Sequence, residues 1–413
     1  MQANRYVARV LGVAALGGAL VLAASCASGG DRAGSGQAGP AGSAGPAGSA
    51  GPAGSAGSAG AHGHGRYSPP PAAPLRAGER FVNLAMPQAY TPAGLNGGTD
   101  EYRCFLVDPG LTRETALTGS QFLPEHVDIV HHATFFRVSP VDVAAARDVD
   151  ARSPGAGWTC FGDAGIGGDP AWVDAWAPGA RETLLGADVG YLMPAGSQLV
   201  MQIHYSLLAS DGAAPGADRS GMRLRLNDST ESIRALETDL LPAPVELPCA
   251  RGESGPLCDR KAAVADVTRR FGAEVGSSAE RLNRYCNAGR PPASGVTQTC
   301  VYPVVQAGTV YGLGGHMHLL GRSIKVELNP GTSSARTLLD VPRYNFDDQA
   351  LRPLSRPLAV KPGDTYRVTC THDATLRQKL PQMRDLPPRY VVWGDGTSDE
   401  MCLGIVVWSP AKA

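Results

Sequence analysis

Five of the chain's nine histidines fall into three tight groups: His131-His132, Ile203-His204-Tyr205 and His316-Met317-His318. A methionine stands in the segment Ser398-Asp399-Glu400-Met401-Cys402. Neutral imidazole binds zinc, copper, iron and nickel alike, whereas a thioether is a soft ligand that favours Cu(I). His131, His132 and His204 on one side, and His316, His318 and Met401 on the other, describe two unlike metal sites. No His-Glu-x-x-His sequence supplies the general-base carboxylate of a zinc hydrolase. The histidine groups also lack the adjoining carboxylate of the iron oxygenases that use two histidines and an acid. Copper redox chemistry remains. Oxidising a C–H bond with dioxygen takes electrons one at a time, and two coppers store two.

The elements that must position these residues read as short strands. Runs rich in Val, Ile, Leu, Phe and Tyr occur at Tyr102–Val107, Val127–Val138, Gln198–Leu207, Met222–Leu226, Ser323–Leu328, Thr365–Cys370 and Tyr390–Trp393, with Gly and Pro between them. That spacing predicts an all-β chain built of β-sandwiches. Helical character is confined mainly to Lys261–Tyr285, framed by Cys249, Cys258, Cys286 and Cys300. Three prolines between Leu241 and Pro248 mark the expected division. The resulting plan is a signal peptide over 1–25, a tether over 26–76, an N-terminal metal domain over 77–242, a cysteine-framed insertion over 243–300 and a C-terminal metal domain over 301–413.

Residues i and i+2 of a strand face the same side. His316 and His318 therefore point together and Met317 points away. Gln202 shares a face with His204, which makes it a candidate to orient a ligand by a hydrogen bond. His131 and His132 are adjacent and would face opposite sides of a regular strand. They reach one metal only if the backbone is bulged or the rings bend round to present different nitrogens. His126 and His372 are left as surface or satisfied core histidines.

Met1–Ser25 has a positive start at Arg5 and Arg9, then an apolar run, then small residues before Cys26, as an export signal does. It resembles a bacterial lipoprotein signal, with Cys26 as the lipid-bearing residue. The expected location is the cell envelope, anchored at the outer membrane or cell surface. Gly30–Pro71 is low-complexity, with Pro-Ala-Gly-Ser-Ala-Gly repeats, and reads as a flexible tether. Beyond Cys26 there are eight cysteines, an even number that suits four disulfides in an exported chain. A Cys370–Cys402 bond would fix the backbone beside Met401. The formal net charge is −1 with both signs scattered, so no basic stripe exists to track nucleic acid.

The ordered motifs of Phe81–Trp408 resemble the copper type II, ascorbate-dependent monooxygenases. The matching segments are Tyr102-Arg103-Cys104, Val130-His131-His132, Gln202-Ile203-His204-Tyr205, Gly315-His316-Met317-His318-Leu319-Leu320-Gly321 and Thr397-Ser398-Asp399-Glu400-Met401-Cys402. The resemblance implies two tandem jelly-roll-type β-sandwich domains, one copper in each, facing across a solvent-filled gap. It gives His131, His132 and His204 the electron-transfer copper. His316, His318 and Met401 would hold the copper at which dioxygen reacts, and so carry catalysis. Ascorbate would be the reductant, and dioxygen and a small organic molecule the substrates. It also implies Cys104–Cys160 and Cys370–Cys402. A nested Cys249–Cys300 and Cys258–Cys286 is the expectation for the rest. The chain departs from the animal enzymes at Leu319, where they carry a third histidine. It departs from the peptide-processing member at Gly314 and Ile405, where that enzyme has a carboxylate-binding arginine and a tyrosine. An exported copper-binding or storage protein without turnover is the alternative. A tethered scaffold whose histidines are structural is a third possibility.

Overall fold

The computed structural model describes residues 69–208, 215–346 and 348–411. The signal peptide, Cys26 and nearly all of the tether lie outside these residues. The fold is all-β, two sandwiches of jelly-roll type with a helical hairpin. In the first sandwich a six-stranded sheet runs Glu79–Ala85, Gly221–Asn227, Thr115–Leu123, Val189–Met193 and Arg234–Ala235, with Thr183–Leu184 also paired to Thr115–Leu123. The facing five-stranded sheet runs Trp158–Thr159, Asp100–Val107, Gln198–Ser206, Val130–Val138 and Ala171–Trp176. Phe105, Phe135, Met201 and Ile203 from one sheet and Leu117, Phe122 and Leu224 from the other bury one another in a shared core. Alternation along each strand makes this possible, because every second side chain points inward.

The second sandwich pairs two four-stranded sheets. One runs Glu237–Pro242, Leu403–Pro410, Gly308–His316 and Arg352–Val360, the other Thr297–Pro303, Thr365–His372, Gly321–Leu328 and Arg336–Val341. Leu313, Val310 and Val406 meet Ile324, Val326, Tyr366 and Val368 between them. The expected boundary at 242 falls after a strand that already belongs here, since Glu237–Pro242 pairs along its whole length with Leu403–Pro410. The chain crosses over just after Arg234–Ala235, which still pairs with Val189–Gly190.

The segment 243–300 is not a free-standing insertion. Its helical stretch is two helices, Arg260–Phe271 and Ala273–Cys286, broken at Gly272 with φ 91°. The Asp259 carboxylate caps the first helix by accepting from Ala262 N–H at 2.8 Å. Ala263, Val267 and Phe271 line one face of it, and Val275, Ala279 and Leu282 one face of the second. All six enter the core of the second sandwich.

The nested disulfides do not form here. Cys249 pairs with Cys258 and Cys286 with Cys300. A turn from Ala250 to Glu253 folds Cys249 back onto Cys258. The end of the second helix lies on strand Thr297–Pro303 with Tyr285 stacked on Tyr302 at 5.3 Å, which sets Cys286 over Cys300. The other two bonds are Cys104–Cys160 and Cys370–Cys402. Among the described residues no helix is long and apolar enough to cross a membrane.

Candidate metal centre

Strand Val130–Val138 is bulged where the histidines stand. Val130 is opposite Tyr205 and His132 is opposite His204, so His131 is the extra residue. The bulge turns His131 to the same side as its neighbour. The three Nδ1 atoms of His131, His132 and His204 then face one another at 3.0, 3.1 and 3.3 Å. Three imidazole lone pairs this close repel unless a cation or proton sits between them. Edges of that length put all three nitrogens about 1.8 Å from a common centre (edge divided by √3), close to the roughly 2.0–2.1 Å typical of a zinc–imidazole bond, so these residues would hold a metal ion.

One carboxylate sets the tautomer of this group. His204 Nε2 lies 2.9 Å from Asp100 Oδ1, and an ionised carboxylate only accepts, so the proton is on Nε2 and the Nδ1 lone pair faces the triangle. Burial works to raise the Asp100 carboxyl. The hydrogen bond and charge of His204, with Thr397, outweigh it and hold Asp100 well below the usual carboxylate range. Tyr102 stacks flat on His204 at 4.0 Å. Its hydroxyl donates to the Asp395 carbonyl at 2.6 Å.

The second set is assembled at a strand end. Strand Gly308–His316 stops at His316, and His318 lies past its end. The two rings are nonetheless neighbours, 5.1 Å apart and nearly perpendicular. Met317 is buried in the second core, away from both. The Gln349 amide donates to Phe346 O at 2.7 Å, so its oxygen accepts from His316 Nδ1 at 2.6 Å and leaves the Nε2 lone pair free. His318 Nδ1 meets Asp399 O at 3.3 Å, and its Nε2 is buried without a partner. An orphaned buried nitrogen of this kind fits a metal ligand. The Glu400 carboxylate accepts from the N–H groups of His318 (2.9 Å), Leu320 (2.6 Å) and Met401 (3.2 Å). Glu400 thereby ties the loop of His318 to the segment of Met401, which the Cys370–Cys402 disulfide anchors from the next residue.

The two sets touch. The His132 and His316 rings are 5.5 Å apart, edge to face, and Phe346 stacks on His131 at 4.2 Å. The resemblance implied a solvent-filled gap at this place; the described structure has ring contact. Burial and the neighbouring histidines hold His131, His132 and His318 well below the ordinary histidine value, and burial foremost pushes His316 down to about 4. All four are neutral at pH 7, with lone pairs available to a metal.

Two residues that orient the histidines, Asp100 and Gln349, are not discernible in the sequence. Asp100 lies on the neighbouring strand, on the same sheet face as His204, and Gln349 comes from a loop, so neither shares a motif with the histidine it holds. Gln202, the sequence candidate for that task, instead donates to Asp163 O at 2.6 Å and lies against the Cys104–Cys160 disulfide. His126 stands apart, its backbone N–H donating to Asp218 at 3.1 Å. His372 is a buried core histidine, with Nε2 3.4 Å from the Met401 carbonyl and 3.5 Å from Glu400.

His132, His316 and Met401 share the wall of one cavity of about 770 Å³ between the sandwiches. Asp395 lines it as well. Burial first, and Asp399 nearby, push its carboxyl up to about 7, so it can exchange a proton near neutrality. At positions of departure, Ile405 lines the cavity and Leu319 packs on the second core.

Among solved structures, the chain is similar to the major capsid protein P2 of bacteriophage PM2 at 9% identity, covering 81% of this chain and 98% of that one with a TM-score of 0.30. It is also similar to allantoicase at 10% identity, covering 77% and 90% with a TM-score of 0.19. Both likenesses are slight. Residues 293–412, which carry His316, His318 and Met401, match the model of the copper type II ascorbate-dependent monooxygenase, C-terminal domain.

Proposed function

We propose that the chain is an exported, copper-dependent monooxygenase that hydroxylates a C–H bond of a small organic substrate. Its co-substrate is dioxygen and its electrons come from ascorbate or another one-electron donor. One observation carries this reading: two chemically unlike donor sets meet at the wall of a single cavity, and the thioether stands in only one of them. Copper bound there would supply one-electron redox chemistry and reduce dioxygen. His131, His132 and His204 would hold the electron-storing ion, with Asp100 and Tyr102 fixing His204. His316, His318 and Met401 would hold the ion at which dioxygen reacts, with Gln349 and Glu400 fixing their approach. The apolar walls exclude water from the reacting C–H bond, and Asp395 is placed to give or take a proton. Four disulfides fit an oxidising compartment and support export. A lipid anchor at Cys26 would tether the enzyme to the cell envelope.

Metal analysis tests this directly. The purified chain should hold about two copper ions, one for each donor set, and His316→Ala should lose one of them. Ascorbate-dependent dioxygen uptake should appear across a panel of organic substrates. Zinc that copper cannot displace would overturn the reading. Copper retained without any dioxygen uptake would make the chain a storage protein.

A further inference from the structure

We propose that the cavity between the sandwiches takes a neutral, largely apolar organic molecule and discriminates against carboxylates. This rests on the function proposed above and names its substrate class. The walls are built from Trp172, Trp176, Leu185, Leu351 and Ile405, with Met401 beside them. A volume of about 770 Å³ lies within the roughly 300–1,000 Å³ range of small-molecule sites.

The cations around the cavity are few and largely used by the protein itself, while the carboxylates of Asp348 and Asp395 also line it. Arg234 donates to the Tyr311 hydroxyl at 3.0 Å and lies 3.8 Å from Asp188. Glu182 is held by the buried Arg225 at 2.8 Å. Arg181 also lines the cavity, but it is solvent-exposed, where a cation contributes little. A carboxylate entering would leave its water without a cation to receive it, and burying an unpaired charge costs several kcal/mol or more. The acid at the inner end, Asp395, repels anions when ionised. When protonated it offers a hydrogen bond to a hydroxyl or carbonyl, which a neutral ligand can use.

Gly314 makes the selectivity adjustable. A Cβ there would stand 3.5 Å from Ile405 and 3.8 Å from Leu351, ordinary contact distances to two cavity residues. An arginine at 314 is therefore accommodated at its base and would extend along an otherwise apolar wall.

The test uses the full chain, both as purified and after removal of metal by chelation. Binding of 1-octanol and octanoate is followed by calorimetry and by tryptophan fluorescence. Octanol should bind at least about tenfold more tightly than octanoate, a difference of about 1.4 kcal/mol. Gly314→Arg should reverse the order of octanol and octanoate, and Leu351→Arg, on the opposite side of that glycine, should do the same if the first variant folds poorly. Octanoate binding as tightly as octanol to the unaltered chain, or no saturable octanol binding, would overturn the proposal. Because the readout is binding, the expected ranking without any dioxygen uptake would remove the proposed activity and leave the cavity's preference standing.

Discussion

His204 and Thr397 share one carboxylate oxygen. Asp100 Oδ1 meets His204 Nε2 at 2.9 Å and also accepts from Thr397 N–H at 3.1 Å and Thr397 Oγ1–H at 2.5 Å. A histidine of the first sandwich's cluster is thus joined through one atom to the segment that carries Met401 in the second. Asp100→Asn keeps the volume but removes the charge and one acceptor. Copper affinity of the three-histidine set should fall by roughly 10–100-fold, the usual cost of losing a partner of this kind. Thr397→Val should give a smaller loss at the same set. Competitive copper titration of both variants measures this, and equal affinity in Asp100→Asn and the unaltered chain would rule out the link.

Glu400 should act on the other set alone. Its three backbone bonds fix His318 against Met401, and Glu400→Gln replaces one accepting oxygen by a donor that faces an N–H group. Affinity for the thioether-bearing metal should drop roughly tenfold or more. The three-histidine set should titrate as before. X-ray absorption on the reduced protein should show a weakened copper–sulfur signal, which a general loss of stability would not produce selectively.

The helical hairpin depends on Gly272, whose φ of 91° and ψ of 169° belong to a region that side chains other than glycine's strain to adopt. Gly272→Ala should destabilise the chain by about 1–3 kcal/mol. Asp259→Ala, which removes the cap on Ala262, should cost about 1 kcal/mol. Denaturant melts of the two single variants and the double variant check both values.

Asp174 gives a pH signature away from the metal centre. It is fully buried on strand Ala171–Trp176, and burial pushes its carboxyl up to about 6, against the hydrogen bonds of Ser120, Ala175 and Thr183. The folded chain therefore holds this proton more tightly than the unfolded one. Its contribution is fully present below the unfolded value near 4 and is lost as pH rises through about 6. The melting temperature of Asp174→Asn should vary less between pH 4 and 6 than that of the unaltered chain. Identical profiles would show that folding does not raise the Asp174 carboxyl.

The sequence made the β architecture legible because alternation and turn residues are local signals, and it made the ligand groups legible because they cluster. The bulge at His131 was legible only as a condition: adjacent histidines can serve one metal if the strand is irregular there. What escaped depends on contacts between distant segments. Asp100 reaches Thr397 across 297 residues, and Gln349 reaches His316 from a loop without a motif. The cysteines at 249–300 were mispaired because their partners follow from a turn at Ala250 and from a helix end resting on a strand, not from order along the chain. The strand Glu237–Pro242 was assigned to the wrong sandwich for the same reason, since pairing with Leu403–Pro410 leaves no trace in its own residues.

The helical hairpin that turns just after Phe271 is fastened on both sides. Arg270 pairs with Asp399 at 2.6 Å in the second sandwich, while its carbonyl accepts from Asn96 at 3.1 Å, and Phe271 meets Phe161 edge-on at 5.5 Å. Tyr102 to Asp395, Asp100 to Thr397 and Tyr191 to Thr238 add further cross-links. Swinging the sandwiches apart would break buried polar contacts together, each costing about 1–3 kcal/mol to leave unmade. Under the proposed function, substrate would then enter and product leave without the sandwiches parting. Selection would fall on size and shape at entry, and turnover would be open to control by product escape rather than by hinge motion.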